Sequence, residues 1–277
     1  MQRRRFRATT SGLSEKTCVW GILLLCAGIA KGTLVVDPPM PTTHLIEVQI
    51  IRVFDDVGAN PATIFGNVSQ QTAIEAAVDT IWSQAGVDVN FLPTINTYND
   101  SFALLGSISP RPQSDLDTMM ANADAEGGIL NLNPDIMNMF FVDIVPGSSF
   151  TSELTVNGLA RVGTNGIAQF VGDTLLTFGN GLDSIASVVS HEIGHNLGLK
   201  HPAGMVPNLM SPGGGSEQLS TDQISAIFQT TSRDDAVAFI PSGGTGLLTL
   251  VPEPSTITLF LLSVPLVLLF SKRKTIR

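Results

Sequence analysis

The sequence predicts a single α+β body over residues 44–240, flanked by two end segments that read as addresses rather than fold. Three observations carry this. β-branched and apolar residues crowd into strand-like runs, of which "HLIEVQIIRVF" at 44–54 is the clearest. Apolar residues recur at helical spacing at 72–86 and 184–197. Strands and helices are interleaved with no internal repeat, and 277 residues are enough to bury a real core.

From the N-terminus, residues 1–30 carry Arg3, Arg4, Arg5 and Arg7, then Lys16, then the apolar run "VWGILLLCAGIA". That run has the length of a signal-peptide core and ends in small residues near Ala30, so cleavage is expected there; a retained anchor is the alternative. The run 44–54 is the first strand, with His44 at its start as a surface or packing residue. In 72–86, Ile74, Val78, Ile81, Trp82 and Ala85 mark one helix face, and Gly86 supplies the stop. Further strands are expected at 87–93, 128–133 ("GILNLN") and 139–145 ("MFFVDIV"), while 100–127 gives no readable pattern. Residues 160–173 are broken by glycines, as in an edge strand or hairpin. Helices are expected at 184–197 and about 221–231. The second has Ser220 and Gln223 as a capping box, with Ile224, Ile227 and Phe228 on one face.

Residues 241–250, opening "PSGGTG", read as a flexible linker. After them, "VPEPSTITLFLLSVPLVLLFSKRKTIR" (251–277) joins a Pro-Glu-Pro motif, an uncharged apolar stretch at 256–270 and a basic tail. This order resembles the PEP-CTERM sorting signal. The resemblance implies a Gram-negative cell envelope, transient membrane insertion and removal by an exosortase-type enzyme, after which the chain is on the cell surface or extracellular. A permanent C-terminal anchor is the alternative.

Both cysteines, Cys18 and Cys26, lie in the presumed signal, so the mature body has no disulfide. Between Lys31 and Pro252 stand 22 Asp+Glu against 6 Lys+Arg, a formal balance of −16. Such a body repels phosphate backbones, which argues against nucleic-acid binding. Acidity with export is compatible with calcium, and Asp55, Asp56, Asp115 and Asp117 could contribute. Solvated loops explain these residues equally well, and no calcium site is assigned.

Three of the four histidines fall within "HEIGHNLGLKH", 191–201. His191 and His195 are four residues apart, so on a helix their rings stand on one face and can converge on one cation. Gly198 can end that helix in a left-handed turn and bring in His201 as third ligand. Three nitrogens leave a fourth position open for water, as in catalytic zinc sites. Glu192 lies round the helix, toward the apolar arc, where an unpaired carboxylate is costly. There it can take a proton from zinc-bound water and deliver it to a leaving amine. The pattern therefore points to metal-assisted hydrolysis with one zinc ion.

At every defined position the segment matches H-E-x-x-H-x-x-G-x-x-H, and "PNLMSP" places Met210 nine residues after His201. In this the chain resembles the metzincin zinc peptidases. The short gap to the methionine is like the matrixins, and Pro202 after the third histidine is like the serralysins. The resemblance is close over 183–230 and only architectural over 44–173. It implies a zincin-like fold, with a twisted, mostly parallel sheet above an active-site helix and a C-terminal helix. It further implies zinc on His191, His195 and His201, Glu192 as general base, Met210 as a structural support, and a protein or peptide substrate. An ordinary apolar loop residue is the alternative for Met210. Pro212 stands where some metzincins have a tyrosine, and the only tyrosine is Tyr98. Without a mature cysteine, a cysteine-switch propeptide is excluded.

Peptide cleavage is thus the leading expectation. A zinc hydrolase of a non-peptide bond, or a non-enzymatic metal-binding surface protein, are the alternatives, and the intact Glu192 argues against the last. An extended substrate would lie along an edge strand within 160–173.

Overall fold

In a computed structural model, which describes residues 34–100, 113–143, 157–172, 181–204, 206–212, 216–229 and 247–251, the run His44–Phe54 becomes β1, a central strand. Both of its faces are buried, which is why its apolar residues run on instead of strictly alternating. Ile46, Val48 and Ile50 join one core cluster, and Ile51 and Val53 join another on the opposite face. The pairing with the next strand has a register shift between Val48 and Ile50.

The architecture is mixed, with a mostly parallel six-stranded sheet and four helices among the described residues. β2 (Val87–Asn99), β3 (Ile136–Phe141), β4 (Gly158–Ala160) and β5 (Ile167–Gln169) give the order β2-β1-β3-β5-β4. The pairs β1/β2, β1/β3 and β3/β5 are parallel, whereas β4 runs antiparallel to β5 at the end of the sheet. A short β6 (Thr249–Leu250) pairs antiparallel with the start of β1.

α1 (Val68–Ser83) and α3 (Leu182–Asn196) share one core cluster with the inward residues of the sheet, including Met139, Phe141, Ala160 and Ile167. α2 (Gln113–Glu126) brings Leu116, Met119, Met120 and Ala123 to the other cluster. α4 (Thr221–Ile227) has the expected Ser220/Gln223 capping box.

Several boundaries differ from the sequence reading for local reasons. α1 begins at Val68, four residues before the expected start, because Asn67 and Gln70 form a capping box that an apolar pattern does not reveal. β2 runs on to Asn99, past Pro93. The expected strand at 128–133 does not form. Gly127 and Gly128 take left-handed φ values, Asn138 Oδ1 receives the Asn131 amide, and Asn131 and Asn133 cap the amides two residues on. These side chains offer the backbone turns in place of a ladder. α4 ends at Ile227, and Phe228 is exposed with its ring 4.6 Å from that of His44. Within the expected linker 241–250, Leu247 is buried and Thr249–Leu250 is β6.

The signal segment 1–30 and the apolar stretch 256–270 lie outside the described residues. Among the described residues no helix is long and apolar enough to cross a membrane.

Candidate metal centre

α3 forms because Ile185, Ala186, Val189 and Ile193 share its buried side, packed in the core with α1 and the sheet. Its last turn is closed by the amides of Leu197, Gly198 and Leu199, which return to Ile193, His195 and Gly194. Gly198 has φ +95°, a left-handed conformation that a side chain would resist. The chain reverses there, and His201 comes back to the two helix histidines.

The three rings meet through their Nε2 atoms. His201 Nε2 lies 3.1 Å from that of His191 and 3.1 Å from that of His195. The candidate ligand atoms all fall within 4.8 Å of one another. The opposite ring nitrogens are engaged: His191 Nδ1 donates to the Leu209 carbonyl at 2.7 Å, and His195 Nδ1 to the Leu199 carbonyl at 2.8 Å. A carbonyl can only accept, so in a neutral ring both protons sit on Nδ1 and the Nε2 lone pairs face inward.

Burial, reinforced by repulsion from the other two rings, lowers the His191 pKa to about 4, and burial lowers His195 and His201 as well. The cluster is therefore built to be neutral. Tetrahedral coordination at about 2.0–2.1 Å needs nitrogens about 3.3–3.4 Å apart, close to the 3.1 Å that separates His201 Nε2 from each of the other two. Three inward imidazole lone pairs of this spacing suit zinc. His201 is exposed while His195 is buried, so the cluster opens to solvent on the His201 side.

Glu192 is buried against the edge of the sheet, not paired with the histidines. A Cβ on Gly158 of β4 would lie 2.6 Å from the Glu192 Cγ and 2.8 Å from its Oε1. Burial pushes its carboxyl up to about 8, with no donor among the described residues to oppose the effect. The carboxyl thus occupies the space a side chain at position 158 would fill. Such a group can hold and return a proton near neutral pH.

Met210 is fully buried, with its Sδ 2.5 Å from where a Cβ on Gly194 would stand. Its turn is fixed by Asn208, whose Oδ1 accepts the Met210 amide at 2.9 Å and whose side chain exchanges hydrogen bonds with Gln223 at the start of α4. The same turn presents the Leu209 carbonyl to His191. Tyr98 lies in the core on the α2 face of the sheet, its hydroxyl on Asp100, and so belongs to other surroundings.

Other expected positions have ordinary partners. His44 meets the Thr43 hydroxyl and the Phe228 ring. Asp55 accepts from the Val57 and Ala59 amides and from Asn60, and Asp117 pairs with Arg161. The Asp115 side chain lies outside the described residues. Sequence reasoning missed Gly158, Asn208 and the two carbonyls that orient the rings. Asn208, two residues before Met210, had a legible signal as a turn residue. Gly158 had none, because its part depends on a register between distant segments.

No family model matches the chain, and no curated relative matches it. Among solved structures it is similar to archaemetzincin from Methanopyrus kandleri, at 18% identity and TM-score 0.41 over 66% of this chain and 94% of that one. It is also similar to a structure described as a chaperone–substrate complex, at 13% identity and TM-score 0.41 over 67% of this chain and a third (33%) of that one.

Proposed function

We propose that the chain is an exported zinc-dependent metalloendopeptidase, with zinc on His191, His195 and His201 and Glu192 as general base. The observation that carries this reading is the convergence of three neutral Nε2 atoms beside a buried carboxyl that lies against an edge strand. When bound, zinc supplies Lewis-acid polarisation of a carbonyl and a lowered pKa for water.

The protein's own groups do the rest. The Leu209 and Leu199 carbonyls hold two rings in the ligating tautomer. Glu192 takes a proton from the attacking water and passes it to the leaving amine, a transfer of the kind worth about 10²–10⁴-fold. β4 is bordered by β5 on one side, and its other edge is unpaired among the described residues. An extended peptide added to that edge would pass Gly158, directly above Glu192. This favours a peptide over other acyl substrates, and moves the expected docking edge from 160–173 to 158–160.

Export, and the processing of the C-terminal segment by an exosortase-type enzyme, are proposed from the sequence of the two ends. The test of the activity is casein digestion with and without chelator. Chelator-sensitive cleavage is expected, and Glu192→Ala should abolish it while one zinc per chain remains. Proteolysis that survives Glu192→Ala, or a folded chain that takes up no zinc, overturns the proposal. Hydrolysis of esters but of no peptide would transfer the site to the non-peptide reading.

A further inference from the structure

We infer that Gln169 is a positioning residue for the Glu192 carboxylate, reached across the β4–β5 pair. The inference deepens the peptidase reading and takes its catalytic meaning from it, but its content is geometric. Gly158 and Gln169 are directly opposed in the antiparallel register. Opposed residues share a face of the sheet, with Cβ atoms about 4.5–5.5 Å apart. That face is the one packed on α3: Ile167 and Ala160, the next opposed pair of the same sense, share a core cluster with Ile193. So does Phe141, the neighbour of Gln169 on β3.

The carboxyl of Glu192 takes the place of the missing Gly158 side chain, with Cδ 2.9 Å and Oε1 2.8 Å from where a Cβ would be. It is therefore one cross-strand step from Gln169, within reach of a side chain of that length. Gln169 is 1% exposed, and its Nε2 has no hydrogen-bond partner among the described residues. A buried amide donor without an acceptor is costly and calls for a physical reason. Among the described residues, a donor without an acceptor thus stands one cross-strand step from a buried carboxyl that can accept. Turning the Gln169 carboxamide about its terminal torsions closes the pair. One Glu192 oxygen is then fixed by Gln169 and the other is left to face the reacting water.

Asp143 is the competing acceptor. It follows Phe141 by two residues, its Oδ2 is taken by the Thr63 amide and hydroxyl, and its Oδ1 is buried without a partner among the described residues. The experiment must separate the two carboxyls. In ¹⁵N–¹H spectra of the zinc-loaded protein, the Gln169 side-chain amide peaks should move on Glu192→Ala and stay in place on Asp143→Asn. Movement on Asp143→Asn alone, or on neither, overturns the inference.

In peptide cleavage, Gln169→Met should lower kcat about ten- to a hundredfold, with KM within about twofold and zinc retained. A rise in KM at constant kcat would also overturn the inference. Should the wild-type chain cleave no peptide, the peptidase reading fails while the spectra still decide the pairing. They do so even where Gln169→Met fails to fold, because the side-chain peaks connect to the Gln169 backbone.

Discussion

Gly194 and Met210 fit together with no room for another carbon: a Cβ on Gly194 would stand 2.5 Å from the Met210 Sδ and 3.1 Å from its Cε. Met210 is wholly buried, so its flexible end has little space to move into. The neighbouring Leu209 carbonyl holds the His191 ring, so pressure on the turn is transmitted to that ring. Gly194→Ala is expected to cost roughly 1–3 kcal/mol, as overpacking does, and to weaken zinc retention. Thermal melts with and without zinc check this. The loss should be larger in the zinc-loaded protein, and an equal loss in both would separate the turn from the metal.

Gly198 offers a second test, because it acts through backbone conformation alone. At φ +95°, a substitution to alanine is expected to cost roughly 1–2 kcal/mol. Relaxing that strain opens the turn and withdraws His201, leaving two histidines on the helix. Zinc affinity should therefore fall further than stability does. Competition titration against a chromophoric chelator, beside a denaturant melt of the metal-free protein, measures the two separately.

What the sequence revealed about this site follows from the range of its interactions. The i, i+4 histidines, Gly198 and the run that buries α3 are all local, and all are legible between residues 185 and 201. α2 was missed although Leu116, Met119, Met120 and Ala123 keep helical spacing, because the polar Asp and Asn residues between them dilute the pattern. "GILNLN" alternates like a strand, but its asparagines cap turns instead. The contacts that shape the chemistry are long-range. Gly158 against Glu192, Leu209 against His191 and Asn208 against Gln223 arise only when separate elements pack, and no periodicity announces them.

Asn196, next to His195, ties α3 to the loop between β4 and β5. Its Oδ1 accepts the Gly166 amide at 2.9 Å, and its Nδ2 donates to the Gly166 and Arg161 carbonyls at 3.1 and 3.2 Å. The Gly163 amide reaches the His195 carbonyl at 2.8 Å beside them. Asn196→Leu leaves buried backbone groups without partners and is expected to cost roughly 2–4 kcal/mol. Asn196→Asp keeps the bond from Gly166 and should cost less. Denaturant melts rank the two variants, and a reversed order would mean that side-chain volume matters more than the hydrogen bonds.

The pH dependence of the metal-free protein should be a dome, because its buried groups pull in opposite directions. The His191 pKa falls from 6.5 to about 4 on folding, so the unfolded chain binds the proton more readily between those values. Its contribution to stability is full above about 6.5 and is lost as the pH falls toward 4. His195 and His201 shift in the same direction. Glu192 shifts the other way, from 4.5 to about 8, so its contribution is full below 4.5 and is lost as the pH rises toward 8. Three histidines outweigh one carboxyl on the acid side, and above 6.5 the carboxyl acts alone among these groups. Maximum stability near pH 6.5 is therefore expected, read as Tm across pH 4–9. Glu192→Gln should remove the alkaline decline and leave the acid limb in place. Zinc should raise Tm most above pH 6.5, where the imidazoles are free and a cation favours the ionised carboxylate. An alkaline decline that persists in Glu192→Gln would assign it to another group.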